Sequence, residues 1–138
     1  MNLRVIAAAS LFALALPAVS AIAQTPSVTT LQATPDERAR QWLTLVDDSN
    51  YTQGIAQMGE LARTTEMGKL PQIREPLGAM AERNLKEITL SKTAPGLPGG
   101  QYALVQYASR FANRAMAIET VTLAMTKAGW AVVAYRVE

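Results

Sequence analysis

Residues 101–137 read QYALVQYASRFANRAMAIETVTLAMTKAGWAVVAYRV, and this stretch decides the fold class. Apolar side chains recur there at about every second position, which is the spacing of β-strands with one buried face. The pattern predicts three consecutive strands, at residues 101–109, 116–126 and 130–137. The connections between them are short, as in antiparallel hairpins. We therefore expect an antiparallel meander.

The last hairpin determines how its two strands align. A three-residue loop at 127–129, with its glycine at positive φ, would place Leu123 opposite Val133 and Val121 opposite Tyr135. Both pairs then lie on one apolar face of the sheet. For that reason we predict this loop over a two-residue turn.

The hydrophobic spacing changes from helical to strand-like after Asn84. Residues 85–92 alternate around Ile88 and Leu90, which predicts an additional strand ahead of the other three. Residues 94–100 read APGLPGG and are too rich in proline and glycine for anything but a turn or loop.

Three helices are predicted before the strands. Residues 34–37 (TPDE) form a capping box with proline at the first helical position, and that helix should end near Asp47. The second helix is predicted at residues 51–63 and the third at 70–83. Pro76 lies inside the third helix and should kink or break it.

Separate blocks of helix and strand indicate an α+β fold. We expect the N-terminal helices to pack on one face of a four-stranded antiparallel meander, cystatin-like or NTF2-like in outline, an analogy of fold and not of function. This single domain should span residues 34–138. Residues 24–33 lack periodicity and are expected to form a flexible segment ahead of it.

The first 23 residues have the layout of a secretory signal peptide. Arg4 precedes an uncharged apolar run at residues 5–19, and Ala21 and Ala23 occupy the small-residue positions of a cleavage site. We predict cleavage after Ala23, a periplasmic or secreted location, and no stable membrane anchor after cleavage. The alternative, an uncleaved anchor, is disfavoured because the run is short for a membrane span.

The chain contains no cysteine and no histidine. These absences exclude disulfides, the usual zinc, haem and copper ligand sets, and catalysis that needs a thiol or an imidazole. We therefore predict no cofactor and no metal site. The net charge is +2, without a basic cluster, so no nucleic acid is expected as a partner.

Glu119 is the first candidate site residue. Strand alternation places it beside Val121 and Leu123 on a face that should be buried, where a carboxylate is costly unless it is paired or protonated. The possible partners are Arg74, Arg83, Arg110 and Arg114, with Arg74 the first choice. An ion pair that holds helix against sheet is the favoured interpretation, and a catalytic carboxylate is the alternative.

Tyr107 and Tyr135 are the other candidates, because they fall on the same predicted face as Glu119. A carboxylate with two phenols in a concave sheet could act as a general base with hydrogen-bond donors. The favoured interpretation is that both tyrosines fill the edge of the core with their hydroxyls reaching water.

An ordered series of short motifs runs through residues 34–137. The series comprises WLTLVD at 42–47 with Tyr51, REPLG at 74–78, LPGGQY at 97–102, VQY at 105–107 with Phe111, ETVTL at 119–123 and GWAVVAY at 129–135. In order and spacing it resembles a small exported bacterial family, domain of unknown function 4019. The resemblance implies export and the fold, and no activity.

The sequence supports three functional hypotheses. The first is a non-catalytic periplasmic module that binds an unknown protein or small-molecule partner through the sheet face or the 94–100 loop. The second is a small enzyme whose pocket uses Glu119 with Tyr107 and Tyr135. The third is a structural factor of the cell envelope or of a stress response. A filled sheet face beside Glu119 would favour the module, and a lined cavity would favour the enzyme.

Overall fold

A computed structural model describes residues 32–63 and 68–138. In these residues helices are followed by a four-stranded antiparallel sheet, which confirms the predicted α+β fold. The predicted signal peptide and most of the segment 24–33 lie outside the described residues. None of the helices in the described part is long and apolar enough to span a bilayer.

Helix α1 (Pro35–Asp47) begins at the predicted capping box. The Thr34 hydroxyl accepts a hydrogen bond from the Glu37 backbone N–H at 3.2 Å, and the Glu37 carboxylate accepts one from the Thr34 backbone N–H at 2.7 Å. Two otherwise unpaired donors at the helix start are thereby satisfied. The face that packs on the sheet carries Ala39, Trp42, Leu43 and Val46.

The predicted second helix is two helices, α2 (Tyr51–Gln57) and α3 (Glu60–Arg63). The chain is extended at Met58, and the Gly59 N–H donates to the carbonyl of Val132 on the last strand at 2.8 Å. The prediction of one helix was wrong here because a tertiary hydrogen bond replaces the helical one at this point.

The third helix is also shorter than predicted. Helix α4 (Lys69–Arg74) continues as a 3-10 turn (Glu75–Leu77) and ends at Gly78, which has a φ of +75°. Pro76 lacks a backbone donor, and few residues other than glycine tolerate this φ, so the α-helix cannot extend to residue 83.

The sheet contains β1 (Met80–Ser91), β2 (Tyr102–Phe111), β3 (Arg114–Thr126) and β4 (Gly129–Val137), in that spatial order. All neighbouring strands are antiparallel, so the predicted meander is confirmed. The first strand begins at Met80, five residues before the predicted start at residue 85, and it therefore includes Arg83.

The loop of the last hairpin was predicted one residue too long. Thr126 pairs with Gly129, which leaves a two-residue loop, and Leu123 pairs with Val132 instead of Val133. A register shift between Thr122 and Leu123 then restores the predicted pairing of Val121 with Tyr135. The shift inserts an extra residue in β4, so the buried face is preserved with a shorter turn.

The core lies between the helices and one face of β2, β3 and β4. Its largest fully buried side chains include Trp42, Leu43, Tyr107, Val121 and Leu123. The 94–100 loop packs on the opposite face, where Ala94 is 7% exposed and the Tyr102 hydroxyl donates to the Pro98 carbonyl. In contrast, residues 84–90 of the edge strand β1 are all exposed.

Candidate functional site

Four charged side chains meet where α1, α4 and the sheet come together, and we call them the buried charge cluster: Asp47, Arg74, Arg83 and Glu119. Asp47 is the last residue of α1, Arg74 the last of α4, Arg83 lies on β1 and Glu119 on β3. Glu119 is 0% exposed. The cluster therefore joins segments that are far apart in sequence.

Arg83 makes the closest contacts in the cluster. Its guanidinium donates to Glu119 from Nε (2.6 Å to Oε2) and from Nη2 (2.9 Å to Oε1). It also donates to Asp47 from Nη1 (2.7 Å to Oδ2) and from Nη2 (3.0 Å to Oδ1). One planar guanidinium thus binds two carboxylates with paired hydrogen bonds, an arrangement that favours arginine over lysine.

Arg74, the partner predicted from the sequence, also contacts Glu119, from Nη1 to Oε1 at 3.2 Å. Its Nη2 donates to Asp47 Oδ1 at 2.9 Å. The guanidinium lies over the ring of Phe111, with its carbon 4.5 Å from the ring centroid. The predicted ion pair between Arg74 and Glu119 is present, and Arg83 is a second arginine bound to the same carboxylate.

Two neutral hydroxyls complete the surroundings of Glu119. Ser109 donates to Oε2 at 2.5 Å, and Tyr135 donates to Oε1 at 2.6 Å. With the three guanidinium contacts, Glu119 accepts five hydrogen bonds. Two cationic and two anionic groups balance in charge, which offsets the cost of removing Glu119 from water.

The cluster holds Glu119 and Arg83 in their charged forms. Burial by itself would raise the pKa of Glu119, but the hydrogen bonds and charge of Arg83, with the hydroxyls of Ser109 and Tyr135, outweigh it and lower that pKa below its ordinary value. Burial would lower the pKa of Arg83, and the contacts with Asp47 and Glu119 raise it instead. Glu119 is therefore an ionised acceptor at neutral pH.

Tyr135 is held between the cluster and the core. Burial and the adjacent Glu119 carboxylate raise the pKa of the Tyr135 phenol, so it remains a hydrogen-bond donor. Its ring meets Trp42 edge-on at a centroid distance of 5.3 Å, and the Trp42 indole N–H donates to the Gly54 carbonyl at 2.9 Å. Tyr135 thus links the charge cluster to the packing of α1 and α2.

Tyr107 is directed elsewhere. It is the cross-strand neighbour of Glu119, but its hydroxyl donates to the Asp36 carboxylate at 2.7 Å, near the start of α1. The structure therefore brings Glu119, Arg74 and Tyr135 into direct contact, while the Tyr107 hydroxyl bonds outside the cluster.

Sequence reasoning missed the roles of Asp47 and Ser109, and it named Arg83 as a possible partner of Glu119 without making it the first choice. Asp47 was interpreted as part of a helix stop, and Arg83 was placed on a helix. Strand alternation could have found Ser109, because it lies two residues after Tyr107 on the same face. Asp47 gave no such signal, since only the crossing of α1 over the sheet brings it to Arg83.

A surface cleft of about 320 Å³ adjoins the cluster. Its lining includes Val46, Asp47, Tyr51 and Arg74, but not Glu119. The Asp47 side chain is 21% exposed, so of the two carboxylates of the cluster the cleft reaches only Asp47. Within residues 32–63 and 68–138, no three acidic side chains gather in a way that would hold a metal ion.

The fold and the cluster together define a small α+β domain with a buried, charge-balanced ion-pair network. The chain belongs to the family described as "Protein of unknown function (DUF4019)", whose family model matches residues 38–135. The matched range includes all four members of the cluster. No curated protein and no solved structure matches the chain.

Proposed function

We propose that this protein is an exported, non-catalytic module that binds a partner protein through strand β1. The observation that carries the proposal is the exposure of this edge strand along residues 84–90. An unpaired strand edge offers backbone donors and acceptors to an extended segment of another chain, which is a common mode of protein recognition.

The side chains of β1 add an apolar surface to this edge. Leu85, Ile88 and Leu90 are 42%, 41% and 66% exposed. They pair with Tyr107, Val105 and Ala103 on the side of the sheet that the helices cover elsewhere. An apolar row that continues a buried face into solvent is typical of an interaction surface.

The chemistry of Glu119 favours a binding module over an enzyme. A general base needs a lone pair within reach of a substrate proton. Both Glu119 oxygens are occupied by donors from the protein, and the side chain is fully buried. The alternative with Glu119, Tyr107 and Tyr135 in one pocket is weakened further because Tyr107 bonds to Asp36.

The 94–100 loop is less suitable for binding a partner than strand β1. Part of the loop is used in contacts with the sheet, because Ala94 is buried and the Pro98 carbonyl accepts a hydrogen bond from Tyr102. Export is supported by the signal-like layout of the first 23 residues and by the Ala-x-Ala pattern that ends at Ala23.

Site-specific photo-crosslinking in the cells that make the protein tests the binding function. A photoreactive amino acid replaces Asn84 or Thr89, which are exposed on β1, or Lys127, which is exposed in the hairpin loop between β3 and β4. We expect a light-dependent protein adduct from position 89 and not from position 127. Failure to form an adduct at positions 84 and 89 alike would contradict the proposal.

A further inference from the structure

We propose that the protein which binds β1 is a second copy of this chain, paired antiparallel about a two-fold axis at the peptide between Lys86 and Glu87. The inference rests on the proposed function and specifies its partner. It follows from the sequence of the exposed strand, which is complementary to itself when reversed.

Residues 84–89 read NLKEIT. In an antiparallel pair centred on the Lys86–Glu87 peptide, Lys86 of each copy faces Glu87 of the other. Leu85 faces Ile88, and Asn84 faces Thr89. Each of the three combinations occurs twice in the dimer, because a two-fold interface uses the same patch on both subunits. Opposite charges and apolar pairs are the cross-strand combinations that stabilise a sheet.

In this register, the side chains that face each other across the two-fold axis lie on the same side of the sheet. Leu85 and Ile88 pair with Tyr107 and Val105 of β2 and so lie on the helix side of the sheet. The apolar pairs of the dimer would therefore meet on one side.

The polar pairs would meet on the other side. Asn84 and Thr89 pair with Ala108 and Leu104, on the side away from the helices. The register shift between Leu85 and Glu87 is what makes this possible, because without the extra residue Leu85 and Ile88 would lie on opposite faces.

Neighbouring registers are disfavoured by charge. A slip by one residue in one direction places Lys86 opposite its own copy, and a slip in the other direction does the same to Glu87. Like charges directly opposite each other destabilise a strand pair. Lysine on an edge strand usually discourages pairing. Here the adjacent glutamate supplies the opposite charge in one register only.

Charge reversal tests the inference in the protein as purified from the cells that make it. Lys86→Glu or Glu87→Lys alone creates two like-charge pairs across the axis, so the dimer dissociation constant should rise roughly tenfold or more. The double variant Lys86→Glu/Glu87→Lys restores opposite charges and should return it close to that of the natural protein. Sedimentation equilibrium measures the dimer dissociation constant of the natural protein, the two single variants and the double variant. Lys127→Glu, a charge reversal in the loop between β3 and β4, is the matched control.

Cysteine pairs test the register separately, because the natural chain has none. The double variant Asn84→Cys/Thr89→Cys should form a disulfide-linked dimer under mild oxidation, while each single variant should not. Both positions are exposed, and thermal unfolding checks that the variants fold.

Three results would overturn the inference. The first is a natural protein that is monomeric at all concentrations tested. The second is a double charge variant as weakly associated as the single ones. The third is a crosslinked adduct at position 89 with a mass other than twice that of the chain. This third result would leave the proposed binding function in place, whereas the absence of any adduct at β1 would contradict both.

Discussion

Glu119 lies in the middle of β3 with Val121 and Leu123 as its neighbours on the same face, and a carboxylate there would ordinarily be costly. This cost is offset by five hydrogen bonds and by two guanidinium groups, whose two positive charges balance the negative charges of Glu119 and Asp47. Arg83 is the closer of the two arginines, and it donates to both oxygens of Glu119. Removing one member should therefore leave an uncompensated charge.

We predict that Glu119→Gln lowers the free energy of unfolding by about 2–4 kcal/mol, because it leaves the buried Arg74 and the partly buried Arg83 with one carboxylate. Adding Arg83→Met should recover part of the loss, since Asp47 and Arg74 then remain as a neutral pair. Chemical denaturation of the two single variants and the double variant measures the coupling.

Glu82→Gln is the matched control for this cycle. Glu82 pairs with Arg110 on the surface, where both side chains are more than half exposed. Its loss should cost less than about 1 kcal/mol. If Glu119→Gln were no more destabilising than Glu82→Gln, or if the two cluster substitutions were simply additive, the cluster would not act as a unit.

Stability should also depend on pH through Glu119. Its pKa in the folded state is lowered from the ordinary value of 4.5, so its contribution is fully present above that pH and is lost as the pH falls through the folded-state value. Below about pH 4.5 the natural protein should lose stability more steeply than Glu119→Gln. Denaturation curves between neutral and acidic pH test this, and parallel losses in both proteins would contradict it.

At the scale of elements, the helical part of the chain is divided by glycines that serve tertiary contacts. Gly59 separates α2 from α3 and donates to β4, and Gly78 ends the 3-10 turn before β1. A Cβ at Gly78 would lie 3.0 Å from Asn113 Nδ2 and 3.1 Å from the Ala112 Cβ. This junction places Arg83 on a strand, where it faces Glu119.

We predict that Gly78→Ala destabilises the domain by roughly 2–4 kcal/mol, from backbone strain at positive φ together with the close contacts. Gly96→Ala is the matched control, because Gly96 also has a positive φ of 72° but has no atom within 4 Å of an added Cβ. It should cost about 1 kcal/mol. Thermal or chemical unfolding compares the two, and equal losses would show that packing at Gly78 contributes nothing.

At the scale of the whole molecule, the cluster ties the end of α1 and the end of α4 to β1 and β3. No disulfide is available to do so, because the chain lacks cysteine. The sheet has two edge strands, β1 and β4. Residues 84–90 of β1 are exposed, whereas β4 carries the buried Val132, Val133 and Tyr135. The buried charge cluster is thus the part of the molecule that we expect to stabilise the fold, and the exposed edge is the part for which we propose binding.

Export is the prediction that belongs to the whole chain. We expect the periplasmic fraction of a Gram-negative host to contain a form that begins at Gln24, because Ala21 and Ala23 suit signal peptidase. Intact-mass spectrometry should show the loss of residues 1–23. A full-length chain retained in the membrane fraction would contradict this, and Ala23→Leu should impair processing if the site is correct.

The sequence by itself determined the α+β class, the capping box at Thr34, the antiparallel meander and the burial of Glu119 with an arginine partner. These features depend on local periodicity and on residue types, which a single chain displays directly. Pro76 likewise indicated that the third helix would break, and α4 ends at Arg74. The break at Gly59 and the loop of the last hairpin depended instead on tertiary structure: a hydrogen bond to β4 and an extra residue in β4 decided them.

Only the tertiary structure decided the composition of the cluster. Asp47 and Arg83 are 36 residues apart, and neither belongs to a periodic pattern that includes Glu119. Their meeting results from α1 crossing the sheet and from β1 beginning at Met80. Likewise, Tyr107 shares a face with Glu119 as the sequence predicted, but the position of Asp36 directs its hydroxyl away. Alternation determines which face a side chain occupies, and the packing of distant elements determines what it contacts there.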